Sequence, residues 1–218
     1  MSKTQIIKTI SYNQNEILDW IINLHCKTNI ELDTTYSKGN FYKGNIKSPK
    51  FKFDSDPQFK TVIKVRGAEI PLGGNSINTA IFDPPFLATK GNINKKNKNN
   101  LIIKRFGYYD NENNLHQFYI DALKEFYRVL KYEGILIFKC QDKVSGGTQY
   151  FTHKFIMNEA EKIGYYCKDL FVLLAKNRIV ANWQSKNQKN ARKYHCYFLV
   201  LQKINKKTKY IKELDENK

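Results

Sequence analysis

The sequence predicts an α/β fold built on a mostly parallel sheet, and three observations support this prediction. Seven short apolar segments have the length of buried strands and lie at residues 29–32, 51–54, 61–65, 78–82, 135–140, 166–175 and 195–202. Longer segments with helical periodicity alternate with some of them, which is typical of parallel strands covered on both faces. The last two strands are joined by a stretch with little apolar periodicity, which indicates an antiparallel pair at one edge of the sheet.

The apolar spacing of amphipathic helices occurs at residues 15–26, 115–130 and 153–163. Gly134 follows the second of these helices and Gly164 ends the third, as expected of a residue that favours helix termini. Two long segments, residues 89–105 and 176–193, interrupt the alternation and are rich in Lys and Asn. Loops of this length in a compact domain are usually functional or disordered.

The chain of 218 residues fits one compact domain, which we expect over residues 1–204 with a charged tail at 205–218. No apolar run has transmembrane length and the first ten residues lack the core of a signal peptide, so a cytoplasmic protein is expected. The four cysteines form no CxxC pair and the four histidines lie far apart in sequence. This spacing argues against a zinc site and against a disulfide framework, and no metal is predicted.

The charge balance favours a polyanionic partner, with 37 Lys+Arg against 20 Asp+Glu and a formal net charge of +17. Nucleic acid is the first interpretation, because a basic surface is what the neutralisation of phosphates requires. A coding bias toward AT-rich codons is the alternative, since the chain is also crowded with Asn and Ile. The charge therefore indicates nucleic-acid binding without establishing it.

The two interrupting segments supply the candidate phosphate contacts. These are Lys95, Lys96, Lys98, Arg105, Lys176, Arg178, Lys189, Arg192 and Lys193. Trp183 and Tyr194 add aromatic rings to the second segment, and rings mixed with positive charge suit base stacking together with backbone contact. The alternative is a solvated loop with Trp183 packed on the sheet.

The tetrapeptide Asp83-Pro84-Pro85-Phe86 follows the fourth predicted strand, where open α/β sheets bind ligands. An exocyclic amine on a nucleic-acid base is a poor nucleophile, because its lone pair is conjugated into the ring. The Asp83 carboxylate and the Pro84 carbonyl can accept its two N–H groups, while Phe86 stacks on the base. The prolines stiffen the loop and hold the reacting groups in line. An ordinary turn with Phe86 in the core is the alternative.

Acidic residues also follow the three preceding predicted strands. Asp33 ends the first, Asp54 ends the second 21 positions later, and Glu69 follows the third. The spacing from Asp33 to Asp54 matches that of an acidic residue that accepts hydrogen bonds from ribose hydroxyls. Glu69 would then lie near an adenine amine. An ordinary strand and turn, with Asp54 and Asp56 solvating the loop, is the alternative.

In this order of motifs the sequence resembles the amino-methyltransferases of nucleic acids, and within them the small phage and bacterial DNA adenine methylases of the DPPF type. The resemblance covers roughly residues 28–202 and includes the segments 32–41, 128–142 and 188–195. It implies a Rossmann-like class I methyltransferase fold, a mostly parallel seven-stranded sheet with an antiparallel edge strand, and S-adenosylmethionine as the cofactor. The cofactor-binding residues that it implies are Asp33, Thr35, Gly39, Phe41, Asp54 and Glu69.

The predicted function is methylation of an exocyclic base amine, with adenine N6 in DNA as the first hypothesis. The tetrapeptide serves cytosine N4 and the amines of ribosomal or transfer RNA equally well. A non-catalytic nucleic-acid-binding domain of the same fold is the alternative of a different class, and the presence of Asp83 and Asp54 argues against it. Protein-glutamine methylases usually carry Asn at the first position of the tetrapeptide, which disfavours that activity.

Further polar residues lie near the predicted strand ends. Lys139 and Asp142 lie at the end of the fifth predicted strand, where they border the cleft or form a structural ion pair. His153 and His195 are interpreted as partly buried polar residues rather than as proton acceptors.

Overall fold

The computed structural model describes residues 6–66, 68–86, 88, 109–177 and 188–206. The helices of this part of the chain are α1 (Gln14–His25), α2 (Glu112–Val129) and α3 (Thr152–Ile163). Its strands are β1 (Ile10–Ser11), β2 (Leu32–Asp33), β3 (Phe51–Asp54), β4 (Ile63–Lys64), β5 (Ile77–Phe82), β6 (Leu130–Cys140), β7 (Lys143–Ser145), β8 (Thr148–Tyr150), β9 (Tyr165–Leu174) and β10 (His195–Lys203). None of these helices is long and apolar enough to cross a membrane.

Eight strands form one sheet in the order β1-β9-β10-β6-β5-β2-β3-β4. Strands β2 to β6 pair in parallel, and from β4 to β6 they follow the 3-2-1-4-5 order of the doubly wound Rossmann fold. Strand β10 runs antiparallel to both of its neighbours, β6 and β9. This topology confirms the predicted Rossmann-like class I methyltransferase fold and the antiparallel pair at one side of the sheet.

Two apolar layers cover the central strands, because successive side chains of a strand point to opposite faces. On one face Phe82 and Phe138 pack with α2 in the larger cluster of buried residues. On the other face Ile81 and Ile137 pack with α1. Asn111 begins α2 by accepting a hydrogen bond from the Asn114 amide. The helices therefore lie where their apolar stripes meet the two faces of β5 and β6.

The sheet contains one strand that the sequence does not predict. Residues Ile10 and Ser11 of β1 pair in parallel with Val172 and Leu173 of β9, which makes the sheet eight-stranded rather than seven-stranded. A strand of two residues is too short to show an alternating apolar pattern. The pairing brings the start of α1 to the same edge of the sheet as the end of β9.

The helical cover also differs from the prediction on the β2 to β4 side. The connections at residues 34–50 and 55–62 contain turns and no helix. Buried side chains of these loops take the place of a helix, among them Phe41, Ile46 and Val62. The prediction that helices cover both faces is wrong for this part of the sheet, because neither connection has helical periodicity.

Candidate active site at the carboxyl edge of the sheet

The predicted acidic residues come together because their strands are neighbours. Strand β2 lies between β5 and β3, and Asp33 is in register with Ile81 and Lys52. Parallel strands end at one edge of the sheet, so Asp33, Asp54 and Asp83 meet there. This is the edge at which open α/β sheets bind ligands.

Asp83 is held in place by both its backbone and its side chain. Its amide donates to Thr35 Oγ1 at 2.9 Å, and its carboxylate Oδ2 accepts from Lys139 Nζ at 3.0 Å. Lys139 Nζ also donates to Gln14 Oε1 at 3.0 Å and lies 5.1 Å from the ring centroid of Phe41. The Asp83 carboxylate therefore has a fixed orientation. Its other oxygen, Oδ1, accepts no hydrogen bond from the described part of the chain.

The two carbonyl groups that follow Pro84 are tied to neighbouring elements. The Tyr119 hydroxyl of α2 donates to the Pro85 carbonyl at 2.7 Å, and Lys143 Nζ of β7 donates to the Phe86 carbonyl at 2.6 Å. No hydrogen bond to the Pro84 carbonyl is found among the residues described. Within those residues the loop thus has one free backbone acceptor next to one free carboxylate oxygen, and these are the two groups predicted to contact the amine.

Lys143, which donates to the Phe86 carbonyl, is held by a buried ion pair with Glu112. Lys143 Nζ lies 2.8 Å from Glu112 Oε2, and the Glu112 side chain is only 4% exposed. Burial lowers the pKa of Lys143, and the Glu112 carboxylate opposes that shift. Because a buried carboxylate without a partner is costly, the pair fixes the position of the lysine that holds Phe86.

Glu112, Tyr119 and Lys143 are site residues that the sequence analysis missed as such. The lysine reaches the loop because β7 and β8 form a hairpin around Gly146 and Gly147, both with positive φ. Two glycines between short polar and β-branched segments are a recognised hairpin signal. That signal was available in the sequence, whereas no local pattern indicates the contact of Tyr119 with Pro85.

Asp33 lies behind the loop that follows β2 and is fully buried. Its Oδ1 accepts from the Thr35 amide at 2.8 Å and the Thr35 hydroxyl at 3.2 Å, and its Oδ2 accepts from the Tyr42 hydroxyl at 2.6 Å. Burial raises the pKa of Asp33 to about 7, and the nearby Asp83 charge adds to the shift. The structure therefore connects Asp33 to the Asp83 amide through Thr35.

The loop that follows β2 is shaped by close packing between a glycine and two tyrosines. The rings of Tyr36 and Tyr42 stack with centroids 5.3 Å apart and an interplanar angle of 13°. Gly39 has a φ of +66°, and a Cβ there would lie 2.8 Å from the Tyr36 hydroxyl oxygen. Phe41 is buried in the core beneath Lys139. Of the residues predicted to bind the cofactor, Thr35 and Gly39 thus shape this loop, and Phe41 packs in the core that supports it.

Asp54 connects the loops that follow β2 and β3. Its Oδ2 accepts from the Ser37 amide at 2.7 Å and its Oδ1 from the Asp56 amide at 2.8 Å. A pocket of about 470 Å³ lies beside it, within the size range of small-molecule sites. The lining residues are Ser55, Lys64, Val65, Arg66, Glu69 and Pro71. Glu69 is exposed in this pocket, one strand away from Asp54.

A second cluster surrounds Asp142, on the α3 face of β6. His153 Nδ1 lies 2.8 Å from Asp142 Oδ1, and Tyr197 connects Asp142 to His195. Asp142 also accepts from the His153 amide at 3.3 Å, at the start of α3. Burial, with the Asp142 charge, raises the pKa of Tyr197 to about 12. Asp142 therefore pairs with His153, and Lys139 pairs with Asp83 rather than with Asp142.

Of the basic residues predicted to contact phosphates, some lie outside the described residues and the others are described. Lys95, Lys96, Lys98, Arg105 and Arg178 lie outside the described residues, as does Trp183. Lys189 is exposed, Arg192 and Lys193 are partly buried, and Lys176 Nζ lies 5.8 Å from the ring centroid of Tyr12. In the described part of the chain, no group of three or more His, Cys, Asp or Glu side chains has a metal-binding arrangement.

No protein-family model and no curated protein matches the chain in sequence. Similar solved structures include the PvuII DNA methyltransferase (cytosine-N4-specific), with 11% identity, a TM-score of 0.43, and coverage of 62% of this chain and 45% of that one. A putative DNA modification methylase from Thermus thermophilus, complexed with S-adenosyl-L-methionine, has 14% identity, a TM-score of 0.40, and coverage of 67% and 54%. The chain thus spans about half the length of these two proteins.

A third similar structure matches over most of its own length. It is a SAM-dependent methyltransferase, described as a possible histamine N-methyltransferase, from Thermotoga maritima. The identity is 16% and the TM-score 0.45, with coverage of 85% of this chain and 86% of that one. The strand order and register of the present sheet define its fold independently of these likenesses.

Proposed function

We propose that this protein is an S-adenosylmethionine-dependent methyltransferase that acts on an exocyclic amino group of a nucleic-acid base, with adenine N6 in DNA as the first substrate. One observation carries the proposal. The loop Asp83–Phe86 keeps the Asp83 Oδ1 and Pro84 carbonyl oxygens without partners in the described structure, while Tyr119 and Lys143 hold the next two carbonyls.

These two free oxygens suit an amine that carries two N–H groups. Acceptance of both hydrogen bonds localises the nitrogen lone pair away from the conjugated ring and toward a methyl donor. Phe86 is partly exposed at the same loop and offers a ring on which the base can stack. The proton that the amine loses would leave through Asp83 or to water. The preorganised loop holds these groups without reorganisation during the reaction.

The residues of the β2 to β4 edge fit the proposed cofactor. When bound, S-adenosylmethionine supplies the methyl group on a positively charged sulfur. Asp54 directly precedes Ser55, which lines the 470 Å³ pocket, and would accept hydrogen bonds from the ribose, since each carboxylate oxygen has more than one lone pair. Glu69 lines the same pocket and would contact the adenine. Asp33 and Gly39 would shape the loop at the methionine end.

The central experiment measures methyl transfer and identifies its product. Purified protein is incubated with tritiated S-adenosylmethionine and with DNA or RNA, and the methylated nucleoside is identified by mass spectrometry. N6-methyladenine in DNA is expected. N4-methylcytosine or a methylated RNA base would retain the amino-methyltransferase assignment and change the substrate.

Asp83→Ala tests the role of the tetrapeptide. We expect methyl transfer to be abolished with nearly unchanged cofactor affinity, because the carboxylate contacts the amine and not the cofactor. The variant should lower the catalytic constant more than it raises the Michaelis constant. Asp121→Ala, which removes an exposed aspartate of α2, is the matched control and should keep full activity. Turnover near that of the wild type in Asp83→Ala would reject the proposed function.

A further inference from the structure

We propose that the substrate strand is single-stranded nucleic acid, and that it lies along three exposed aromatic rings at the carboxyl edge of the sheet. The rings are those of Tyr12, Phe151 and Tyr194, termed here the aromatic row. The inference rests on the proposed function, because it names the form of nucleic acid that would reach Asp83.

The exposed aromatic residues are concentrated at one edge of the molecule. In the part of the chain that the structure describes, five Phe or Tyr side chains are exposed, and the row contributes three, with exposures of 60% (Tyr12), 56% (Phe151) and 39% (Tyr194). Phe59 follows β3, on the cofactor side of Asp83. Tyr132 lies near the start of β6, at the opposite edge of the sheet. Single exposed rings are ordinary, but here three from separate elements are exposed at one edge.

The topology places the row beside Asp83. Tyr12 follows β1, Phe151 precedes α3, and Tyr194 precedes β10, whose first residue pairs with the last residue of β9. Adjacent strands lie about 4.8 Å apart, so Tyr194 is two strands, or about 10 Å, from the end of β5. Tyr12 is four strands, or about 19 Å, from it by the same spacing. At about 3.4 Å per stacked nucleotide, this distance corresponds to roughly six nucleotides.

Positive charge accompanies each ring of the row. Lys176 Nζ lies 5.8 Å from the Tyr12 ring centroid. Lys193 directly precedes Tyr194, and Lys154 is exposed in the first turn of α3, which Phe151 precedes. Rings that stack on bases next to ammonium groups that neutralise phosphates are the usual arrangement of single-strand binding sites. The net charge of +17 agrees with a polyanionic ligand.

A pocket borders the far end of the row. It has a volume of about 370 Å³ and includes Tyr12 together with Trp20, Asn13 and Glu16. This size lies within the range of small-ligand pockets. The pocket combines a second aromatic ring with polar donors and acceptors, which is what an unstacked base requires. The row therefore ends at a site that can receive one base of the strand.

Stacking distinguishes a single strand from a duplex. In a duplex the faces of the bases are covered by their neighbours, and proteins contact the edges in the grooves with a helix or a ribbon. The row presents side chains from strand ends and a helix start. Its rings can stack only on bases whose faces are free, as in single strands and loops.

Binding measurements with the full chain test the inference without methyl transfer. Fluorescence anisotropy compares a labelled 12-nucleotide DNA strand, its duplex, and an RNA strand of the same sequence at one salt concentration. The single strands should bind at least about tenfold more tightly than the duplex. Tyr12→Ala and Tyr194→Ala should each weaken single-strand binding by about 5- to 150-fold, the equivalent of losing one stacked base. Tyr12→Phe and Tyr194→Phe keep the rings and should bind as the wild type does.

Tyr132→Ala is the matched control, since that ring is 67% exposed at the other edge, and its binding should be unchanged. Equal or tighter binding of the duplex, or equal losses in Tyr132→Ala and the row variants, would overturn the inference. If the RNA strand bound more tightly than the DNA strand, the single strand that the row binds would be identified as RNA. Single-strand binding through the row without methyl transfer would reject the proposed function alone. If duplex nucleic acid were methylated, and at the same rate by the wild type and by the variants of the aromatic row, this inference alone would be rejected.

Discussion

Glu112 and Lys143 show how a single ion pair can position the loop at Asp83–Phe86. The pair is buried, and its lysine donates to the Phe86 carbonyl at 2.6 Å. Lys143→Met should lower the free energy of unfolding by about 3–5 kcal/mol, because the Glu112 carboxylate is left buried without a partner. The double variant Glu112→Gln/Lys143→Met should regain much of that stability, yet still show weaker base binding than the wild type. Urea unfolding and the Michaelis constant for nucleic acid measure the two effects separately.

The matched control for this pair is on the protein surface. Lys162 pairs with Glu159 within α3, and its side chain is 69% exposed. Lys162→Met should change the unfolding free energy by less than about 1 kcal/mol, since exposed pairs contribute little. If the double variant at the buried pair kept a wild-type Michaelis constant and turnover, Lys143 would stabilise the fold without positioning Phe86.

Asp33 gives stability a dependence on pH that is opposite to that of most carboxylates. Its pKa is about 7 in the folded protein and about 3.9 in an unfolded chain. Between these values the folded state binds more protons, so the contribution of Asp33 to stability falls as the pH rises from about 4 to 7. The stability of the wild type relative to Asp33→Asn should therefore be greater at pH 5 than at pH 8.

Urea midpoints of both proteins at the two pH values measure this difference, and other titrating groups cancel in the comparison. Asp121→Asn, at an exposed position, should show no such change relative to the wild type. An equal stability difference between wild type and Asp33→Asn at both pH values would show that Asp33 is ionised throughout.

Among the structural elements, the loop at residues 34–42 has the clearest dependence on one glycine. Gly39 and Gly44 both have a φ of +66°, but only at Gly39 would a Cβ meet another atom, the Tyr36 hydroxyl oxygen at 2.8 Å. Both Gly→Ala variants carry the backbone strain, of order 1 kcal/mol. Gly39→Ala should in addition displace Tyr36 from Tyr42 and weaken cofactor binding. Calorimetry with S-adenosylmethionine compares the two variants, and equal affinities would show that the Tyr36 contact has no part in the proposed cofactor site.

Two elements are predicted closely, one helix with a long periodic pattern and one short apolar strand. The helix predicted at 153–163 is observed as Thr152–Ile163, and the strand predicted at 51–54 is observed with the same ends. Strand β6 begins five residues earlier than predicted, because Leu130 already pairs with Ile77. The two-residue strand β1 is fixed by its pairing with β9, and a local pattern cannot show such a contact.

The residues of the candidate site also differ in whether a local sequence pattern can predict their role. Asp83 could be placed from the sequence, because a strand followed by a distinctive tetrapeptide is a local pattern. The roles of Asp33 and Phe41 could not, since burial depends on how the loop folds back over β2. Likewise, nothing local joins Lys139 to Asp83, which are 56 positions apart in the chain. Side chains at strand ends are predictable as neighbours, whereas their pairing depends on packing.

At the scale of the whole molecule, the net charge of +17 should make nucleic-acid binding strongly dependent on salt. Each phosphate contact on a single strand contributes about 0.7 to the slope of log affinity against log salt. The variant Lys189→Ser/Lys193→Ser should flatten that slope by up to about 1.4 if both lysines contact phosphates. Lys27→Ser/Lys131→Ser, at the opposite edge, is the control. Equal slopes in the wild type and the first variant would indicate that these lysines are only solvated.

The position of β10 has a consequence for how the chain is made. This strand is the last in sequence of the described part, yet it lies between β6 and β9 and buries residues 198–201. A nascent chain emerges from the ribosome N-terminus first, at about 5–20 residues per second. Until β10 emerges, β6 and β9 each have an unpaired edge facing the gap that it will fill. Unpaired edges are templates for pairing with other chains. Completion of the sheet therefore waits until β10 has emerged, and a chain that has made β6 and β9 but not yet β10 is the form most exposed to aggregation.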